Sequence, residues 1–315
     1  MISYQELITP SQMERPMNWL KHFRNQNPIE LEIGFGNGEF LVSTAKENPN
    51  KNFVGIELHW KRIQNSLRYL TRMNQKVNPE KRIDNIRLLY TDAYVALERM
   101  FLPSSIDQIY SLFPCPWPKN RHERFRLFSH DFLRLTNSRL TNKGKVLIVT
   151  DFYPYLSWIV QQIPHAGFTA QTRTVKPRYA TKYERKWYDQ GQKEFFELEL
   201  LKERHIDVPW KQDVVMKVYF VDQFDPAYFR FLSETGDCAI IFKDFIFDSD
   251  RRKGMVHLIV SEQNEHLTQH FWVAIVKDQN RWCLGPAEGI GVIPTSGIAR
   301  SLELVYQAAK NSVKT

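Results

Sequence analysis

The chain has 315 residues, 43% hydrophobic and 25% charged, with a net charge of +8 and an isoelectric point near 9.2. That length suits two domains and the apolar fraction suits packed cores. Three widely separated cysteines, Cys115, Cys238 and Cys283, exclude a disulfide framework and a zinc knuckle, and no apolar run approaches a membrane span. The first residues lack the basic and apolar regions of a secretory signal, so a cytoplasmic protein is expected. The basic excess lies wholly in residues 1–209, because residues 210–315 hold 12 Lys and Arg against 13 Asp and Glu. An acidic partner of the first part is therefore expected, and nucleic acid is the commonest polyanion read this way.

In chain order, residues 1–28 read as a short lead-in helix or loop. Ile29, Leu31 and Ile33 alternate with Glu30 and Glu32, the period-two pattern of a strand. Gly34, Gly36 and Gly38 follow, and from Phe40 the apolar spacing becomes helical. Strand, glycine turn and helix together form a ligand cradle, because the helix start presents unpaired N–H groups and glycine brings bare main chain close. The dinucleotide fingerprint needs its third glycine one residue later, and the acid Glu32 would repel a pyrophosphate. A ligand carrying an ammonium and a sulfonium fits better.

Phe53–Glu57 is a second buried strand ending in an acid, at the interval where such an acid meets ribose hydroxyls. A helix carrying Ile63, Leu67 and Leu70 follows, then a third strand at Ile86–Tyr90 with Asp92 just beyond it. Ile106–Phe113 is the fourth strand and runs into Pro114-Cys115-Pro116-Trp117-Pro118, which continues neither a helix nor a central strand. Lys145–Thr150 is the fifth, ending at Asp151, with a helix near Pro154–Ile163. Phe195–Leu201 alternates like a late strand at the sheet edge. Strands alternating with helices predict a doubly wound, mostly parallel α/β sheet, whose ligands sit beyond the strand ends. Glu32, the glycines, Glu57, Asp92, Cys115 and Asp151 all fall at such ends.

Two basic runs follow these strands: Lys119, Arg121, His122, Arg124 and Arg126 after the proline loop, and Arg173 through Lys186. Both interleave aromatic residues, as stacking on unpaired bases requires. A domain boundary is expected around Ile206–Asp213, giving domains 1–209 and 210–315, the second a smaller α+β domain. There, strand-like runs occur at Val214–Val221, Cys238–Phe247, Val256–Val260 and Phe271–Val276, with helices near Pro226–Glu234 and Ile298–Lys310. His266 and His270 sit in a hairpin-like polar stretch without the Glu of a zinc-binding helix, so no metal is expected. Gly285-Pro286 with Gly289, Gly291 and Gly297 lacks the Lys-Ser/Thr of a phosphate loop and reads as a flexible connection.

The acid-x-G-x-G-x-G turn resembles the first motif of S-adenosylmethionine-dependent methyltransferases. With Gly55-Ile56-Glu57, the Phe-Pro-Cys-Pro-Trp-Pro-Lys-Asn-Arg-His stretch at 113–122 and Thr181-Lys182-Tyr183-Glu184-Arg185, residues 28–204 are similar to the tRNA (guanine-N7-)-methyltransferase family. The resemblance implies a Rossmann-like class I methyltransferase fold and methyl transfer from S-adenosylmethionine to N7 of a variable-loop guanosine, position 46 of tRNA. It implies a donor site at Glu32, Gly34, Gly36, Gly38, Glu57, Asp92 and Cys115. A substrate site is implied at Lys119, Arg121, His122, Arg124, Arg126, Asp151, Thr181, Lys182, Tyr183 and Glu184. Catalysis would rest with Cys115, Asp151 and Glu184. The expected partner is tRNA, with no membrane and no metal, and the expected state a monomer or homodimer.

One position departs: the family usually has an aspartate where this chain has Cys115. Guanine N7 attacks through an in-plane lone pair and has no proton to lose, so a working enzyme is still expected. A tRNA-binding protein that has lost catalysis, and a methyltransferase for exocyclic amines, are the alternative readings.

Overall fold

The computed structural model describes residues 2–313 and divides into two compact units, the first ending at Lys211 and the second starting at Gln212. In the first unit, strands β1 (Leu7–Ile8), β2 (Ile29–Ile33), β3 (Asn52–Glu57), β4 (Ile86–Tyr90), β5 (Ile106–Leu112), β6 (Leu140–Thr150), β7 (Phe168–Val175) and β8 (Phe195–Lys202) form one sheet. Its order is β1-β4-β3-β2-β5-β6-β8-β7, and only β8 runs against its neighbours. The interleaved helices are α1 (Trp19–Phe23), α2 (Glu39–Glu47), α3 (Trp60–Gln75), α4 (Ala93–Arg99), α5 (His130–Arg139), α6 (Tyr153–Gln162) and α7 (Lys182–Asp189). This is the class I methyltransferase sheet with an added edge strand, β1, from the lead-in segment.

Every residue of β2 and β3 is buried, as expected when helices cover both faces of a parallel sheet. Leu41 and Val42 of α2 and Ile63, Leu67 and Leu70 of α3 pack on Phe53, Ile86 and Leu88. The strand order reverses between β2 and β5, which opens a crevice at their carboxyl ends. The glycine turn leaves β2 into that crevice.

Phe195–Leu201 lies one position inside the edge. The edge belongs to β7, whose residues 169–174 are all exposed and carry no apolar alternation. Val175 at the end of β7 pairs with Phe195 at the start of β8, so residues 176–194 form an excursion whose two ends lie side by side. After β8 the chain is fastened by Arg139, whose buried guanidinium donates to the carbonyls of Leu97 (2.6 Å) and Val208 (3.0 Å). Burial pushes its pKa down to about 10.

The second unit is a five-stranded antiparallel sheet, among the described residues, with one helix. Strands β9 (Tyr219–Val221), β10 (Cys238–Asp248), β11 (Lys253–Glu262), β12 (Leu267–Asp278) and β13 (Arg281–Pro286) lie in the order β10-β11-β12-β13-β9. Helix α8 (Ser296–Lys310) covers one face, setting Ile298, Leu302 and Val305 against Val256, Leu258, Val260, Val273 and Ile275. Burial alternates strictly along β11. Buried Glu262 receives the Gly297 N–H (2.7 Å) and so holds the first turn of α8.

Three expectations for this unit change. Residues 226–234 are not helical, because Phe224 and Phe229 instead pack their rings against Phe245 and the sheet core. Only the last part of 214–221 pairs as a strand. Gly285 and Pro286 belong to β13, opposite Ala274 and Val273, rather than to a flexible connection. His266 occupies the turn between β11 and β12 with φ +50°, as a hairpin requires. Among the described residues no helix is long and apolar enough to cross a membrane, and no His, Cys, Asp and Glu cluster could hold a metal ion.

Candidate active site

Beyond β2 the backbone turns through Gly34, Gly36 and Gly38 at φ +74°, +60° and +78°, conformations that side chains disfavour. A Cβ at Gly34 would meet nothing within 4 Å, and at Gly36 only the Gly34 carbonyl at 4.0 Å, so both present bare main chain to open space. Gly38 has a different reason: a Cβ there would lie 2.1 Å from Ser66 Oγ on α3. The turn is held by Glu57. Its Oε2 accepts the Gly36 N–H (3.1 Å), and its Oε1 accepts those of Leu58 and His59 (both 2.9 Å).

The turn lines a cavity of about 410 Å³, together with Glu32, Phe40, Leu112 and Arg62. Glu32 is 3% exposed and its Oε2 has no hydrogen-bond partner. Loss of hydration, reinforced by the neighbouring charge of Glu57, pushes its pKa up to about 8. A carboxylate aimed into a cavity without a counter-charge is the complement of a cationic ligand.

Helix α7 forms the opposite wall, through Thr181, Lys182 and Tyr183. Thr181 is its N-cap and accepts the Glu184 N–H (3.1 Å). Three bonds tie the wall to the donor side. Glu39 accepts the Lys182 N–H and the Arg185 guanidinium, each at 2.6 Å. Arg62, paired with Glu57 at 3.4 Å, donates to the Tyr183 hydroxyl at 2.8 Å. Glu39, Arg62 and Phe40 are not among the site residues expected from the sequence. The run Gly38-Glu39-Phe40 was visible, but a tie to a residue more than a hundred positions away carries no local signal.

The remaining expected residues do not all converge here. Asp92 lies outside the cavity lining and accepts the Tyr94 N–H (2.7 Å) as the N-cap of α4. Glu57 is also outside the lining, with its oxygens spent on the turn. Glu184 is 3% exposed and accepts the backbone N–H groups of Arg178 (2.7 Å), Tyr179 (3.0 Å) and Ala180 (2.6 Å). It therefore braces the bend before α7 and has little capacity left for a guanine edge. Asp151 is half-buried just after β6, and burial raises its pKa, opposed by its own backbone N–H and by Lys186.

Cys115 is exposed in the proline loop, whose flanks Phe113 and Trp117 take left-handed conformations at φ +56° and +44°. Arg126 is 7% exposed and keeps that loop in place. It donates to the carbonyls of Pro116 (3.0 Å) and Trp117 (3.3 Å) and to Glu123 (3.0 Å), with its guanidinium 5.1 Å from the Trp158 ring centre. It is thus a clamp, not a cation open to a phosphate. Lys119, Arg121 and Arg124 are exposed, and Trp117, His122 and Phe125 cluster beside them.

A strand-end crevice, a glycine turn and a buried acid without a counter-charge thus lie together in a class I methyltransferase fold. A family profile described as "Putative methyltransferase" matches residues 26–197. The tRNA (guanine-N(7)-)-methyltransferase of Chlorobium phaeobacteroides is 40% identical over 186 residues, covering 59% of this chain and 87% of that protein. The enzyme of the same name from Aquifex aeolicus is 28% identical over 287 residues, covering 89% of this chain and 93% of that one. That similarity extends into the second unit. Among solved structures, the 16S rRNA methyltransferase KamB aligns at 16% identity and a TM-score of 0.47, covering 61% of this chain and 96% of that one. The chain belongs to the tRNA (guanine-N7-)-methyltransferase family.

Replacing Arg126 by alanine leaves the proline-loop carbonyls without their donor and is expected to cost about 2–4 kcal/mol. Urea unfolding measures that loss. The salt dependence of nucleic-acid binding should keep its wild-type slope, since Arg126 faces no phosphate.

Proposed function

We propose that this chain transfers a methyl group from S-adenosyl-L-methionine to N7 of a guanosine in tRNA, with position 46 of the variable loop as the target. The unpartnered Oε2 of Glu32 beside the bare glycine main chain carries the donor assignment. S-adenosylmethionine fits that chemistry: its ammonium supplies the missing counter-charge, and its sulfonium supplies an activated methyl group. The exposed cations and aromatic rings of the proline loop support an RNA substrate.

The residues' work is placement and potential. Guanine N7 has a lone pair and no proton, so no general base is needed. Charge leaves the sulfur and appears on the purine ring. Alignment and negative potential near the ring are therefore the available sources of acceleration. Asp151, at the end of β6, is the carboxylate free to supply that potential and to accept the guanine N1–H or amino group. Thr181, Lys182 and Tyr183 form the wall between donor and base. Glu184 acts through the bend it braces, and Glu57 through the turn it holds. Lys119, Arg121 and Arg124 take phosphates, with His122 in their aromatic cluster. Cys115 brings a thiol where the family's usual residue is an aspartate.

Labelled S-adenosylmethionine with unmodified tRNA, followed by nucleoside analysis, tests the proposal, and 7-methylguanosine is the expected product. Binding of tRNA without label transfer would point to a non-catalytic binder, and label on an exocyclic amine to a different methyltransferase.

Donor affinity should depend on pH. With its carboxyl raised to about 8, Glu32 is protonated at neutral pH and must release that proton to pair with a cation. Affinity is thus expected to rise as pH increases toward about 8, and to fall again as the ligand's own ammonium loses its proton. Calorimetry from pH 6 to 9 measures this, and Glu32→Gln should remove the rising limb and weaken binding. Cys115→Asp should raise the methylation rate by about tenfold, the weight of one charge-assisted hydrogen bond.

A further inference from the structure

A second cavity, of about 800 Å³, is lined by Lys176, Pro177, Tyr188, Lys193, Glu194 and Phe196, with Gly191 and Gln192 between them, so two cations and one acid face it. It lies within the excursion between β7 and β8. Its rings are presented rather than packed away. Tyr188 is 43% exposed, and Tyr153, 58% exposed, meets Phe196 edge-on at 5.1 Å. The neighbouring Trp187 and Phe195 point the other way, into the core beneath Leu112 and Val149. Lys193 holds its ammonium 3.8 Å from the Tyr188 ring centre, and neither it nor Lys176 forms a salt bridge among the described residues. Gly191, at φ +97° with nothing within 4 Å of a built Cβ, leaves main chain bare on this side. The cavity is also tied to the catalytic strand end, since Gln192 Nε2 donates to the carbonyls of Asp151 (2.8 Å) and Glu194 (3.2 Å).

We propose that this cavity holds an unpaired nucleotide next to the target guanosine, its base stacked on Tyr188 and its phosphates on Lys176 and Lys193. The inference rests on the reading of the chain as a tRNA methyltransferase. Exposed rings flanked by ammonium groups without a carboxylate partner are the general solution for binding single-stranded nucleic acid, because every base has a stacking face and every linkage a charge, and Lys193 leaves the other face of Tyr188 to a base. A protein strand or an acidic peptide would use the lysines but not the exposed ring faces. The bond from Gln192 to the Asp151 main-chain carbonyl brings the cavity's rim to the end of β6, next to the residue whose carboxylate the proposed reaction assigns to the guanine. Helix α7 thereby serves both ligands, with Tyr183 toward the donor and Tyr188 toward the RNA.

The test compares wild type with Tyr188→Ala, Tyr188→Phe and a Lys176→Ala/Lys193→Ala double variant. The readouts are tRNA affinity at several salt concentrations, donor affinity, and the kcat and KM of methylation. Tyr188→Ala should weaken tRNA binding and raise its KM by about tenfold, with Tyr188→Phe near wild type and donor affinity unchanged. The lysine pair should lower the slope of log affinity against log salt by about 1.4, and its surface position keeps the test open if Tyr188→Ala folds poorly. Wild-type tRNA binding by both Tyr188→Ala and the lysine pair, in a preparation that methylates tRNA, would overturn the nucleotide site alone. Wild type that neither binds nor methylates tRNA would overturn the underlying reading instead.

Discussion

The buried carboxylate of Glu57 fixes more of this site than any other group. Three backbone N–H groups converge on it, one from the glycine turn and two from its own strand end, so the turn and β3 are set against each other. Its remaining attraction goes to Arg62, and Arg62 reaches on to Tyr183 across the cavity. A charge buried in this way is tolerable only because each lone pair is used. With Glu57 saturated, Glu32 is left with one oxygen unpartnered and no counter-charge, and that asymmetry marks where a cation belongs.

The same division of labour recurs around the crevice. Carboxylates and guanidiniums that look interchangeable in the sequence separate into groups that build and groups that face outward. Glu184 and Arg126 build, each by gathering main-chain groups of a bent segment. Asp151, Lys119, Arg121 and Arg124 keep their charges available. Methyl transfer to a proton-free nitrogen asks for little beyond alignment, so a site rich in bracing groups and poor in acid–base machinery suits that chemistry.

Much of this was legible in the residues. The alternation of Ile29, Leu31 and Ile33 and the spacing of the glycines located the crevice, while of the acids at successive strand ends only Glu32 lines it. The sheet order at the far edge was not. Strand β7 is polar and exposed along almost its whole length, so it lacks the periodic signal, and the alternating β8 reads the same at an edge or one place inside it. Whether an ionisable group builds or faces outward was hidden too, because that depends on which backbone amides the fold brings near. Asp92 as a cap, Glu184 as a brace and Arg126 as a clamp each rest on neighbours that no spacing rule specifies. In the second unit, apolar residues at 226–234 suggested a helix, but their rings find a better place against the sheet.

Residues 176–194 leave the sheet at Val175 and return at its register partner, Phe195. The entropy of closing that excursion is borne by the pairing of β7 with β8, not by the helix and loops within it. The part after Trp187 can therefore drift, lengthen or be exchanged with little penalty to the sheet beneath, whereas Tyr179 and Trp187 pack on its core. A lineage could retune which nucleic acid it grips by rewriting residues 188–194, past the Thr181–Tyr183 wall, while inheriting the donor chamber intact.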